Sequence, residues 1–130
     1  TYAGTPLACV AALAPLDAFA NDDVLARGRA LGVTVRARLE TLRARYPNDI
    51  VDVRGLGAML ALECRRAPGS DGTSLAQRLV AAAFDEGLVA LTAGPGSSAL
   101  RVLVPLVATA DDLERGFAAL ERAAARTLTS

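Results

Sequence analysis

Residues 50–66 read IVDVRGLGAMLALECRR, and the fold class turns on them. The β-branched opening, Ile50, Val51 and Val53, suits a pleated strand. Gly55 and Gly57 permit a bend, and the apolar residues from Ala58 to Leu62 then read as a second strand. A strand, a bend and a strand make the start of a sheet.

Toward the C-terminus the loop APGSDGTS precedes Ser74, which opens a helix running through Asp85, with Gly87 where a C-cap glycine belongs. LVALT, residues 88–92, is a third strand, and ALRVLVP, residues 99–105, is a fourth that ends at Pro105. Thr109 and Asp112 form a capping box, with Asp in place of the usual Glu, before a last helix carrying Leu113, Phe117, Leu120 and Ala124.

Toward the N-terminus the apolar residues of 5–20 are nearly continuous. Leu7, Val10, Leu13, Leu16 and Phe19 recur every three positions, as in a buried helix with Pro6 in its first turn and a kink at Pro15. Asn21 or Asp22 can cap a second helix. Val24, Leu25, Leu31, Val35, Leu39 and Leu42 form its apolar stripe; Arg27, Arg29, Arg36, Arg38 and Glu40 take the wet side until Pro47 closes the segment. The order ααββαββα predicts an α+β domain: a small antiparallel or mixed sheet of three to four strands with helices packed on one face.

The totals narrow the function. At 130 residues the chain suits one core, and its 52% apolar content excludes a disordered protein. Fourteen basic and fourteen acidic residues cancel, leaving no electrostatic footprint for nucleic acid or an anionic membrane. No apolar run approaches the roughly 20 residues that span a bilayer. Without a secretory leader pattern, a cytoplasmic location is the default expectation. Cys9 and Cys64 read as two buried, reduced thiols, and without His they complete no ordinary zinc site; no metal is expected. All fourteen basic residues are Arg, so the Schiff-base amine and the commonest general base are both missing, and no catalytic residue is assigned within these residues.

The stretches TYAGTPLACVAALAPLDAF, VRGLGAMLALE, EGLVALTAGPG and LRVLVPLVATADDLERGFAALE, in this order and spacing, resemble the C-terminal part of the class III pyridoxal-phosphate-dependent aminotransferases. The likeness is greatest to those acting on 4-aminobutyrate. It implies that residues 1–130 are the small C-terminal domain of a longer enzyme whose large cofactor-binding domain is missing here. It further implies amino acid and 2-oxo acid substrates, a homodimer or higher homo-oligomer, and pyridoxal phosphate bound by the full-length enzyme but not by this piece alone. Acetylornithine, ornithine and diaminobutyrate enzymes share similar C-terminal segments, and a stand-alone α+β binding module without chemistry is the alternative of another class.

Two residues take roles from the resemblance. Thr1 matches the residue that reaches the cofactor phosphate across the dimer interface. Arg101, in the otherwise apolar run LRVLVP, matches the arginine that clamps the substrate carboxylate, a task suited to a planar, always-charged fork. Taken by itself, Arg101 also reads as an ordinary strand arginine, paired with an acid or exposed on the sheet's free face. Arg54 reads as architectural, tying the VRGLG bend to neighbouring carbonyls, and Glu63 as a solvent-facing strand end. Ser97, Ser98 and Ala99 stand where the family usually has a Gly-Asn pair, so the loop before Arg101 is expected to differ in shape.

Overall fold

The hairpin expected at residues 50–66 is formed. In the computed structural model, which describes residues 4–21, 23–65 and 73–129, β1 (Ile50–Leu56) runs antiparallel to β2 (Met59–Cys64). Leu56 lies opposite Met59, so Gly57 and Ala58 are the turn, and Gly57 takes φ +55°. Gly55, inside β1, takes φ +133°, and a Cβ there would stand 2.1 Å from the Met59 carbonyl oxygen. Only glycine fits that position.

On the other side of β2 lies β4 (Ala99–Leu103), and outside it the short β3 (Leu91–Ala93); the order is β1-β2-β4-β3 and every pairing is antiparallel. The third strand thus begins at Leu91, not at Leu88. Leu88 and Ala90 are half-buried and pack on the core without joining the ladder. Apolar character there reports burial, not strand pairing.

Three helices, α2 (Val24–Arg45), α3 (Leu75–Asp85) and α4 (Ala110–Thr127), share one core with the sheet. Val35 and Leu39 of α2, Leu79 of α3 and Ala123 of α4 meet Leu60, Leu62 and Leu100 there. Burying each large side chain contributes about 1.5–3 kcal/mol. Both C-terminal helices begin with a full capping box. The Ser74 hydroxyl accepts from the Gln77 N–H at 3.1 Å while the Ser74 N–H donates to Gln77 Oε1 at 2.7 Å. Thr109 and Asp112 repeat the arrangement at α4. Gly87, φ +85°, follows the end of α3 as expected.

Three expectations near the N-terminus are corrected. The first helix, α1 (Pro6–Asn21), forms but buries none of its residues, and Leu7 is 82% exposed. Cys9 therefore faces solvent, whereas Cys64 is buried in the core. Burial, with Glu63 and Asp49 nearby, pushes the Cys64 thiol up to about 12. Asn21 ends α1, its Nδ2 donating to the Asp17 carbonyl, instead of capping α2; Asp22 lies outside the described residues, and Asp23 precedes α2 without a side-chain capping bond.

The wet side of α2 also differs from expectation. Arg36 donates to the carbonyl oxygens of Val53 and Gly55 at 2.9 and 2.8 Å, so the residue that ties down the VRGLG bend is Arg36 and not Arg54. Arg38 reaches α4, pairing with Glu114 at 2.7 Å and Glu121 at 3.1 Å, and its guanidinium lies 4.8 Å from the centre of the Phe117 ring. Both arginines are half-buried and join α2 to its neighbours.

Candidate functional site on the open face of the sheet

Side chains alternate across a strand, and the helices cover only one face of this sheet. Leu60, Leu62 and Leu100 point to the helices and are nearly fully buried. Arg54, Met59, Ala61, Glu63, Leu91, Arg101 and Leu103 belong to the other face, which none of the described helices covers. Two rows cross that face. In one, Arg54, Ala61, Arg101 and Leu91 stand side by side on β1, β2, β4 and β3. In the next, Leu56, Met59 and Leu103 stand together, exposed by 84%, 60% and 55%.

Arg101 sits in the middle of this face, on an interior strand, exposed and framed by Ala61, Leu91 and Leu103. No ion pair or hydrogen bond joins its guanidinium to another described residue. Of the two ordinary readings of a strand arginine, pairing with an acid is therefore excluded among the described residues. What is left is a fork with five N–H donors presented on an apolar surface. Such a group suits a carboxylate or phosphate, because two parallel charge-assisted hydrogen bonds match its planar geometry.

The neighbouring arginine is different. Arg54 Nη2 donates to a Glu63 carboxylate oxygen at 2.5 Å, and the Glu63 side chain is only 20% exposed. Glu63 is thus no free strand end, and Arg54 makes an ion pair across the hairpin. The sequence held this signal: with the turn at residues 57–58, Arg54 faces Ala61, and Glu63, two positions further on, is its diagonal neighbour.

The segment that leads into Arg101 is held at both ends. Gly94, Gly96 and Ser97 take φ values of +78°, +64° and +52°, and Pro95–Ser97 make a single 3-10 turn. Ser74 Oγ donates to the Ser97 carbonyl at 2.6 Å, and the Cys64 N–H donates to the Ser98 carbonyl at 2.9 Å. Ser98 is buried. The helix α3 cap and the β2–β4 ladder together fix the point from which Arg101 is presented.

Beside Arg101 an apolar groove of about 390 Å³ runs between β4 and α4, lined by Leu88, Val102, Val104, Leu113 and Phe117 among others. β3 pairs with β4 only as far as Arg101, which leaves the β4 edge beyond it open to this groove. A second cavity, about 420 Å³, lies at the far edge of the sheet beside Ile50 and Val51 and is remote from Arg101. Among the described residues no three His, Cys, Asp or Glu side chains converge to hold a metal. Thr1 lies outside the described residues.

Comparison with known proteins identifies the family to which this arrangement belongs. The class III aminotransferase profile matches residues 1–124, and the chain is a member of that family. It is 39% identical over 122 residues to a 5-aminovalerate aminotransferase of Pseudomonas putida, an alignment covering 93% of this chain and 28% of that protein. It is 39% identical over 118 residues to the 4-aminobutyrate aminotransferase of Escherichia coli, covering 89% of this chain and 28% of that one. Among solved structures, an amine transaminase from an uncultivated Pseudomonas species, in its pyridoxal-phosphate-bound form, superposes with a TM-score of 0.81 at 30% identity, over 98% of this chain and 29% of its own. The chain thus spans under a third of the length of these relatives.

Class III aminotransferases depend on pyridoxal phosphate. The residues of this chain do not fit the task of holding it covalently: all fourteen basic residues are arginines, and a guanidinium supplies no amine for a Schiff base. What the chain does offer is an exposed guanidinium, that of Arg101, without a partner among the described residues.

Proposed function

We propose that the complete protein carrying this chain is a pyridoxal-phosphate-dependent aminotransferase. It moves the amino group of 4-aminobutyrate, or of a related ω-amino acid, to 2-oxoglutarate. In this reading residues 1–130 are its C-terminal domain, Arg101 is the substrate-carboxylate anchor, and Thr1 is a contact to the cofactor phosphate across a homodimer interface in the cytoplasm. The observation that carries the reading is Arg101 itself, unpaired among the described residues, exposed on an interior strand, with apolar Ala61 and Leu91 directly opposite it and Leu103 beside it on β4. The 39% identity to enzymes named for 5-aminovalerate and 4-aminobutyrate supports the choice of amino donor. The cofactor, whose covalent lysine would lie outside residues 1–130, would supply an electron sink for the chemistry at the amino carbon.

The work of this chain is recognition. Both proposed substrates carry a carboxylate, and a fork bound to it at two points fixes the rest of the molecule in direction as well as place. Ala61, Leu91 and Leu103 keep the surroundings of the fork apolar, so the pair strengthens once the remainder of the protein and the substrate exclude water. Fixing one end of a short, flexible ω-amino acid delivers its amino end to a defined position, which is an entropic gain.

Arg101→Ala in the complete enzyme tests the assignment. Truncating one member of a desolvated charged pair costs on the order of 2 to 5 kcal/mol, so kcat/KM for 4-aminobutyrate and for 2-oxoglutarate should fall together, by about 30-fold to several thousand-fold. Arg101→Lys should recover part of the loss, since an ammonium keeps the charge but not the fork. Amines lacking a carboxylate should be affected far less. If Arg101→Ala unfolds the protein while its folded fraction stays fully active, Arg101 is an ordinary strand residue. Profiling 4-aminobutyrate, 5-aminovalerate and acetylornithine side by side identifies the donor.

A further inference from the structure

Glu63 occupies a particular place on the open face. Ala61 lies opposite Arg54 on one side and opposite Arg101 on the other, so Glu63, two residues along β2, is the diagonal neighbour of both arginines. Diagonal positions on one face of a sheet are about 7–8 Å apart and within reach of long side chains. Glu63 has therefore two candidate partners, and it pairs with Arg54, at 2.5 Å. Its carboxylate is mostly shielded, at 20% side-chain exposure, and so gains most from having a partner at hand. Around it, Asp52 stands directly opposite on β1 and adds a like charge, while Ala99 stands opposite on β4 and adds none. Were Arg54 absent, Arg101 would be the cation at the remaining diagonal position to Glu63, since Arg65, two residues further along the chain, is engaged by the Asn48 carbonyl.

We propose that Arg54 and Glu63 are positioning residues for the Arg101 anchor: the ion pair between them engages the Glu63 carboxylate, so that Arg101 stays open to a carboxylate ligand. This rests on the reading of Arg101 given above and adds to it a reason why an arginine beside a glutamate has no partner among the described residues. Arg54 then acts on affinity without touching the ligand, and its effect passes entirely through Glu63 and Arg101. The hairpin bend does not depend on it, since Arg36 holds the carbonyls of Val53 and Gly55.

The test uses the complete enzyme, with KM for 2-oxoglutarate and competitive inhibition by glutarate, a dicarboxylate without an oxo group, as readouts. Arg54→Met frees Glu63 to occupy Arg101. KM and the glutarate inhibition constant should rise roughly fivefold or more, the weight of about 1 kcal/mol for a partly exposed pair, while kcat stays within about twofold. Arg54→Met with Glu63→Gln should restore both constants to near the wild-type values, because the competing carboxylate is gone. In an Arg101→Ala background, Arg54→Met should add nothing to KM, since coupled residues are not additive. A double variant as weak as Arg54→Met alone, or an Arg54 effect that persists without Arg101, would make Arg54 merely structural and overturn the inference. Arg54→Gln serves the same comparisons if Arg54→Met fails to fold. If Arg101→Ala itself leaves KM unchanged, the anchor reading fails; if Arg101→Ala raises KM and the Arg54 variants do not, only the positioning role fails.

Discussion

Asp112 shows how much of this molecule is decided by single side chains. Its carboxylate accepts from the Thr109 hydroxyl at 2.7 Å and from the Thr109 backbone N–H at 3.0 Å, and Arg115 adds a third donor at 2.5 Å. Those bonds, the Thr109 hydroxyl first, favour the charged form and lower the group from 3.8 to about 2. A folded value below the unfolded one means that the capping contribution is complete above about pH 4 and is lost as the pH falls through 2. A carboxyl-carbon NMR titration should place the Asp112 midpoint near 2, and Thr109→Val should move it back toward 3.8. A wild-type midpoint at the ordinary aspartate value would show the cap to be open. Arg101 obeys the opposite logic: its significance lies in having no partner among the described residues while Arg54, one row-mate away, has Glu63.

At the scale of elements, the packing of α2 on the hairpin is the tightest constraint. A Cβ on Gly32 of α2 would lie 2.4 Å from the carbonyl carbon of Gly57, a backbone atom that cannot turn aside. Gly32→Ala should therefore destabilise the fold by about 1–3 kcal/mol, the usual cost of overpacking, measured as a lower urea midpoint with an unchanged slope. An unaltered midpoint would mean that helix and hairpin separate freely. Local signals made many elements legible in the sequence: the capping box at Thr109, the glycine after α3, and the two glycines of the hairpin are each set by neighbours in the chain. What escaped the sequence depends on distant partners. Whether residues 88–90 pair depends on the course of β4. That Arg36, not Arg54, holds the bend depends on where α2 crosses β1. The anchor role proposed for Arg101 comes from resemblance to a family, while its lack of a partner among the described residues, and its diagonal relation to Glu63 across β2 and β4, emerge only from the fold.

At the scale of the molecule, the chain carries two apolar surfaces that its described residues leave uncovered. α1 is apolar nearly all round, with Asp17 and Asn21 its polar side chains, and helices of that kind are ordinarily buried on every side. Here none of its residues is buried, and Leu7, Val10, Leu13 and Leu16 are each more than half exposed. The open sheet face adds Leu56, Met59 and Leu103. Contiguous apolar surface of this extent drives association, and a formal net charge of zero supplies no long-range repulsion to oppose it. The 130-residue chain prepared alone should therefore sediment above its 13.4 kDa monomer mass, with an average mass that rises with concentration. Leu7→Glu with Leu13→Glu should shift it back toward monomer if α1 is the contact, and Leu56→Glu with Leu103→Glu should do so if the sheet face is. The first pair should have the larger effect, because α1 packs on so little of its own chain that charging it costs the fold almost nothing. A single 13.4 kDa species at every concentration would instead mean that both surfaces tolerate water unaided.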